Sequence, residues 1–221
     1  MRIGKKKYLL SLGVSFYPEK EMLRLNQQAQ IGWHFIKMNK LGVLVFQKGV
    51  AQHSTYSVDY FTGSKEDYSE YIALYEHSGW QHVTTFMKRY CYFVSNSSDT
   101  EAIFTDEKSY QARIRQEWRQ QLLESLWVAL FGFFFYLGGK FFFGTVFHTW
   151  PIWYFALTLV ALFFPAVLLL CMGTIKLLYQ KRTKYYNKPE KFAKKQNVVR
   201  DTVLLMTLGA VFGATLALLI L

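Results

Sequence analysis

Cysteine is nearly absent from these 221 residues, with only Cys91 and Cys171, so no disulfide framework holds the fold. The five histidines, His34, His53, His77, His82 and His148, lack the spacing of a closed zinc site. There is no glycine-rich phosphate loop, nucleophile elbow or His-Glu-x-x-His, so no catalytic motif or cofactor is expected and the chain does not read as an enzyme. No apolar run of sufficient length follows the basic start before Pro18, and no cleaved secretory signal is predicted. Charge, too, is missing from most of the last hundred residues. Of the 26 Lys/Arg and 15 Asp/Glu, residues 1–121 hold 16 and 12.

The net charge of +11 therefore sits mainly in one place. Between Lys176 and Asp201 nine Lys/Arg face only Glu190 and Asp201, a local +7, whereas residues 1–121 contribute +4. A nucleic-acid-binding domain carries its excess on its own folded surface, and direct nucleic-acid binding is not expected.

Long apolar runs are what the second half does have. Three stretches reach the roughly 20 residues needed to cross hydrocarbon, at about 122–147, 149–175 and 202–221. The first is interrupted by Gly138-Gly139-Lys140, and the third shows no polar face of the kind a soluble helix carries. The loop 176–201, with Lys181, Arg182, Lys184, Lys188, Lys191, Lys194, Lys195 and Arg200, sets the orientation because positive loops stay inside. The N-terminal domain is thereby expected in the cytoplasm and the C-terminus at the outer face of the membrane. The same cations are candidates for anionic lipid contact. Trp118, Trp127, Trp150, Trp153, Tyr154 and Tyr179 lie near the expected boundaries, where amphipathic rings favour headgroups.

The first 104 residues read as one unit used twice. A strand (Tyr8 to Phe16), a helix opened by Pro18, a Gly32 stop and a hairpin starting at Trp33 are followed by the same order. The second copy is a strand from Thr55, a helix from Lys65 to His77, Gly79 and Trp80. Each glycine supplies the left-handed residue at a helix end, and each tryptophan packs between helix and sheet. The expected fold is α+β: duplicated strand–helix–strand–strand, an antiparallel sheet with helices on one face, then an amphipathic linker helix at 105–121 and an all-α membrane region.

Asp59 alternates with Val58 and Tyr60 in the strand from Thr55; its face is read as exposed, and a helix-covered face would make it a buried acid in need of a partner. Aromatic density around it, including Tyr56, Tyr60, Tyr75 and Tyr92, fits core and cross-strand pairing, or a pocket or interface for an apolar or cationic ligand.

The motifs Gly-Trp-His-Phe from Gly32, Val-Phe-Gln-Lys-Gly from Val45, Tyr-Ser-Val-Asp-Tyr from Tyr56 and Ser-Gly-Trp from Ser78 resemble a family of membrane-anchored proteins of Gram-positive bacteria. That family is catalogued as a domain of unknown function and is commonly encoded beside PadR-type transcriptional repressors. The resemblance spans about residues 15–110 and implies a location and a regulatory partner, but no chemistry. Two functions stay open. One is a membrane-anchored cytoplasmic sensor or adaptor that binds a protein partner, a PadR-type regulator among them, and a ligand. The other is an accessory subunit of a membrane transport or envelope-stress complex that acts through its spans.

Overall fold

The computed structural model describes residues 2–97, 99–145, 150–178, 182–186 and 191–193. A short strand β1 (Arg2–Ile3) turns through Gly4 into β2 (Lys6–Leu10), and α1 (Pro18–Gln30) follows. The strand from Tyr8 ends sooner than expected because Gly13, at φ +91°, bends the chain. Met22, Leu25 and Ala29 form the buried stripe of α1, as their helical spacing requires. The hairpin β3 (Trp33–Met38) and β4 (Val43–Lys48) completes the first repeat. The second repeat is β5 (Thr55–Tyr60), α2 (Tyr68–His77), β6 (Gln81–Phe86) and β7 (Tyr90–Ser95). Ser64 and Asp67 exchange side-chain-to-backbone hydrogen bonds, but they close a turn, and α2 starts only after Asp67.

Duplication extends to the hydrogen-bond ladders. In each repeat the last strand lies centrally, flanked by the first and by the outer hairpin strand, giving β1-β2-β4-β3 and β5-β7-β6. All pairings are antiparallel. The β3–β4 ladder shifts register between Phe35 and Lys37, and the β6–β7 ladder between His82 and Thr84. Both irregularities fall at the third residue after the tryptophan. Gly32 and Gly79 hold the left-handed conformation at φ +77° and +85°. At Gly32 a Cβ would also stand 2.7 Å from the carbonyl oxygen of Gly49, so the site excludes side chains twice over.

The single sheet with helices on one face is not what forms. Two sheets form, with their outer strands β3 and β6 packed alongside one another without a ladder between them. Moreover, α1 and α2 cover opposite faces of the second sheet. Tyr56, Val58, Tyr60, Tyr90 and Tyr92 point into the larger core with α1 and the first sheet, whereas Phe61, Cys91 and Phe93 pack with α2. The cause is visible in β7, where Tyr90, Cys91, Tyr92 and Phe93 are all buried. A strand apolar on both faces demands cover on both.

The linker and the first apolar stretch form one helix, α3 (Glu107–Phe143), with Asp106 accepting from the Ser109 backbone N–H at its start. Gly138-Gly139-Lys140 does not interrupt it. A second apolar helix, α4 (Ile152–Leu178), follows and carries Pro165 in its interior. Both are long and apolar enough to cross a membrane. The expected third span at 202–221 lies outside the described residues, as does Tyr179. Contacts divide the chain into two compact units, one of Met1–Tyr110 with the described residues beyond Lys181, the other of Gln111–Gln180.

Within the second unit the glycines of α3 are packing sites. A Cβ at Gly132 would meet the Ala161 Cβ at 2.7 Å and the Leu162 backbone nitrogen at 2.9 Å, and one at Gly139 would enter the Trp150 ring. Small residues let two helix backbones approach where lipid offers no hydrophobic drive. Trp150 is buried in this contact, its Nε1 donating to the Gly144 carbonyl, whereas Trp127 and Trp153 are exposed. Gly132→Leu will therefore lower the unfolding midpoint of the full chain in detergent, at a cost of about 1–3 kcal/mol for overpacking. Gly173→Leu, where nothing lies within 4 Å of the added Cβ, will leave it unchanged.

Candidate functional site

Asp59 is buried, not exposed, because α2 covers its face of the second sheet. Its Oδ1 accepts from the Tyr60 backbone N–H at 2.7 Å. Its Oδ2 accepts from the hydroxyls of Tyr71 at 2.8 Å and Tyr75 at 2.7 Å. Tyr71 and Tyr75 sit one helical turn apart on α2, so both phenols reach one oxygen. Their rings pack edge to face at 5.0 Å; Phe61 lies 4.7 Å from Tyr71 and Phe93 4.5 Å from Tyr75.

A second polar group adjoins the first. Asp59, Cys91 and Thr85 form one cross-strand row. The Thr85 hydroxyl contacts the Tyr68 hydroxyl, His82 Nε2 at 2.8 Å and the Cys91 Sγ at 3.5 Å. Burial, followed by the Asp59 charge, pushes the Tyr71 and Tyr75 phenols far above the ordinary tyrosine range, so both remain donors. Burial likewise raises the Cys91 thiol and lowers His82. Near neutral pH the phenols are protonated, the imidazole is neutral and Cys91 is a thiol, all gathered beside the Asp59 carboxyl. Such groups can act through hydrogen bonds and ring contact, and burial disfavours the thiolate of Cys91.

The first repeat shows what this interface needs for folding alone. Matching the two Gly-Trp pairs and their register shifts puts Leu9, Leu44 and Met38 where the second repeat has Asp59, Cys91 and Thr85. Phe35 stands where the second has His82. All four residues of the first repeat belong to its apolar core. The polar row of the second repeat is therefore an addition to a plan that an apolar row satisfies. None of the α2 side chains is fully buried, whereas α1 buries six residues.

Of the residues singled out as a pocket or interface, Asp59 and Tyr75 join side chains at this cluster. Tyr56, Tyr60 and Tyr92 lie on the opposite face: Tyr56 accepts from the Phe35 backbone N–H at 3.3 Å, Tyr92 donates to Glu21 at 2.7 Å, and Tyr60 packs on Tyr90 at 5.0 Å. Tyr68, Tyr71, His82, Thr85 and Cys91 were missed as a group. Extending the Gly-Trp match strand by strand would have revealed the three on strands, since it sets His82, Thr85 and Cys91 against Phe35, Met38 and Leu44. Trp33 and Trp80 are both buried, the latter donating from Nε1 to the Glu101 carbonyl at 3.0 Å.

The basic loop divides. Lys181, Lys188, Lys194, Lys195 and Arg200 lie outside the described residues, and Lys184 and Lys191 are exposed. Arg182, grouped with the lipid-contacting cations, is instead buried against α1. Its Nε and Nη2 reach Glu19 at 2.6 and 3.2 Å, and Tyr110 donates to the same carboxylate. Burial alone would raise the Glu19 carboxyl; the Arg182 charge and these hydrogen bonds outweigh it and hold the group below the usual carboxylate range.

Residues 17–128 match a family described as a protein of unknown function, DUF2812. The chain belongs to that DUF2812 family. The match takes in both glycine–tryptophan corners, the Asp59 cluster and the apolar start of α3, and it begins after β1 and β2. No curated protein and no solved structure matches the chain.

Proposed function

We propose that this DUF2812 chain is a membrane-anchored cytoplasmic sensor or adaptor, non-enzymatic, whose duplicated domain binds a protein partner and takes a ligand at the Asp59 cluster. The observation that carries the reading is double coupling of the folded domain to apolar helices. From Glu107 the chain runs without a break into the apolar half of α3, and the segment that follows α4 returns to α1 through Arg182 and Glu19. Two crossings return the chain to its starting side, and the Lys/Arg excess after α4 supports the cytoplasmic side. With the third apolar stretch as a span, the C-terminus ends at the outer face.

The partner that the resemblance implies is a PadR-type repressor, and a Gram-positive cell is the place to look. Crosslinking and affinity purification of the full chain from native membranes tests the proposal. Recovery of a cytosolic regulator is expected, and it should weaken when Glu19 is replaced. Recovery of membrane proteins alone, unchanged by that substitution, overturns it in favour of an accessory subunit working through its spans.

A further inference from the structure

The N-terminal hairpin is an addition to the duplicated plan: the second repeat has no strand corresponding to β1. It lies ahead of the residues that match the family. In it Arg2 stands directly opposite Lys7, and like charges across a strand pair repel. Lys48 of β4 joins them. The charges of Arg2, Lys7 and Lys48 lie 5.5, 5.7 and 5.1 Å from the centroid of the Trp33 ring. One indole attracts a cation by about 0.5–2 kcal/mol, depending on how far it is desolvated, and the mutual repulsion of three cations on one ring opposes that attraction. Lys5 and Lys6 stand in the same hairpin. Among the described residues none of these five cations is paired with a carboxylate. Lys7 donates to the neutral Gln28, and its ammonium is held below the ordinary lysine range by partial burial, then by Arg2 and Arg24. A cluster built this way is stabilised by an anion from outside.

We propose that the Trp33-centred cluster of Arg2, Lys7 and Lys48 docks on the phosphate headgroups of anionic lipid, holding the domain to the surface of the bilayer. This rests on the membrane reading above. Charge distribution favours lipid over nucleic acid. Without the four hairpin cations and Lys48, residues 1–121 carry 11 Lys/Arg against 12 Asp/Glu. A nucleic acid lying across the domain would meet that acidic remainder, whereas a lipid headgroup needs only the cations gathered around Trp33.

The test places the full chain in nanodiscs of phosphatidylcholine, alone or with a third phosphatidylglycerol, and follows amide exchange of residues 2–10. Anionic lipid slows exchange there in low salt, and high salt reverses the slowing. Each of R2Q, K7Q and K48Q reduces the effect about fivefold, from roughly 1 kcal/mol per surface cation. Exchange in α2 serves as the folding control and stays the same. Equal hairpin exchange in both discs overturns the proposal. So does slowing by inorganic phosphate or a short oligonucleotide in neutral discs, with no response to anionic lipid. A chain that remains dispersed without disc or detergent overturns the membrane reading itself, which keeps the two failures apart.

Discussion

Glu19→Ala will release the segment after α4 from the domain. Removing one partner of a buried ion pair costs about 3–5 kcal/mol, because the other charge stays buried without compensation. The remaining anchors of that segment are weaker: an exposed Thr183 hydroxyl donates to Glu107 at 2.6 Å, and Phe192 is buried beside Tyr185. A hydrogen bond to a charged group contributes about 1.5–3 kcal/mol at most, less when exposed, and a buried phenylalanine about 1.5–3. With the first discounted for exposure, these anchors together are comparable with the cost of stranding Arg182, and undocking is the response that carries its charge into water. Amide exchange at residues 182–186 should rise sharply while β7 stays protected. Arg182→Ala should do the same, and the double variant should cost less than the two losses added. Acid provides an independent check. The folded carboxyl lies below its unfolded value, so the contribution is full above about pH 4.3 and disappears as pH falls through the lower folded value. Glu19→Gln should lose this acid dependence. Unchanged exchange at 182–186 in all three single variants would sink the coupling.

How much of this was legible in the sequence follows from the range of the signal. Local signals held: the Met22, Leu25 and Ala29 stripe, the two glycine stops and the tryptophan after each are all where backbone chemistry puts them. The α3 glycines misled, because a break and a close-packing site look alike until the partner helix supplies Ala161 and Trp150. Sheet count and helix placement were beyond local reading. Whether α1 and α2 share a face depends on β7 being apolar on both sides, and alternation alone reads that as a single covered face. Arg182 was hidden for a similar reason. A cation in a run of nine is scored by its neighbours, and its carboxylate lies 163 residues earlier.

Asp59→Leu will destabilise the domain by about 2–3 kcal/mol, although leucine is what the first repeat carries at this place. The loss arises from the partners left behind. The Tyr71 and Tyr75 hydroxyls lose their common acceptor inside the α2 interface, and a buried donor without an acceptor costs about 1–3 kcal/mol. Since α2 buries no residue fully, it can shift to let one hydroxyl reach water, which keeps the total toward the lower end. Asp59→Leu with Tyr71→Phe and Tyr75→Phe should recover most of the stability, because removing donors and acceptor together restores the apolar solution of Leu9, Leu44 and Met38. Denaturant unfolding of the full chain measures both variants. If the triple variant is no more stable than the single one, the carboxylate was filling space and the comparison between repeats fails. If it is stable, it becomes the instrument for function. A folded domain that keeps its ring contacts but lacks the acid and both phenols should still capture its partner from membranes, yet no longer change that capture in response to a ligand. Undiminished response in that variant would assign the polar row to folding alone.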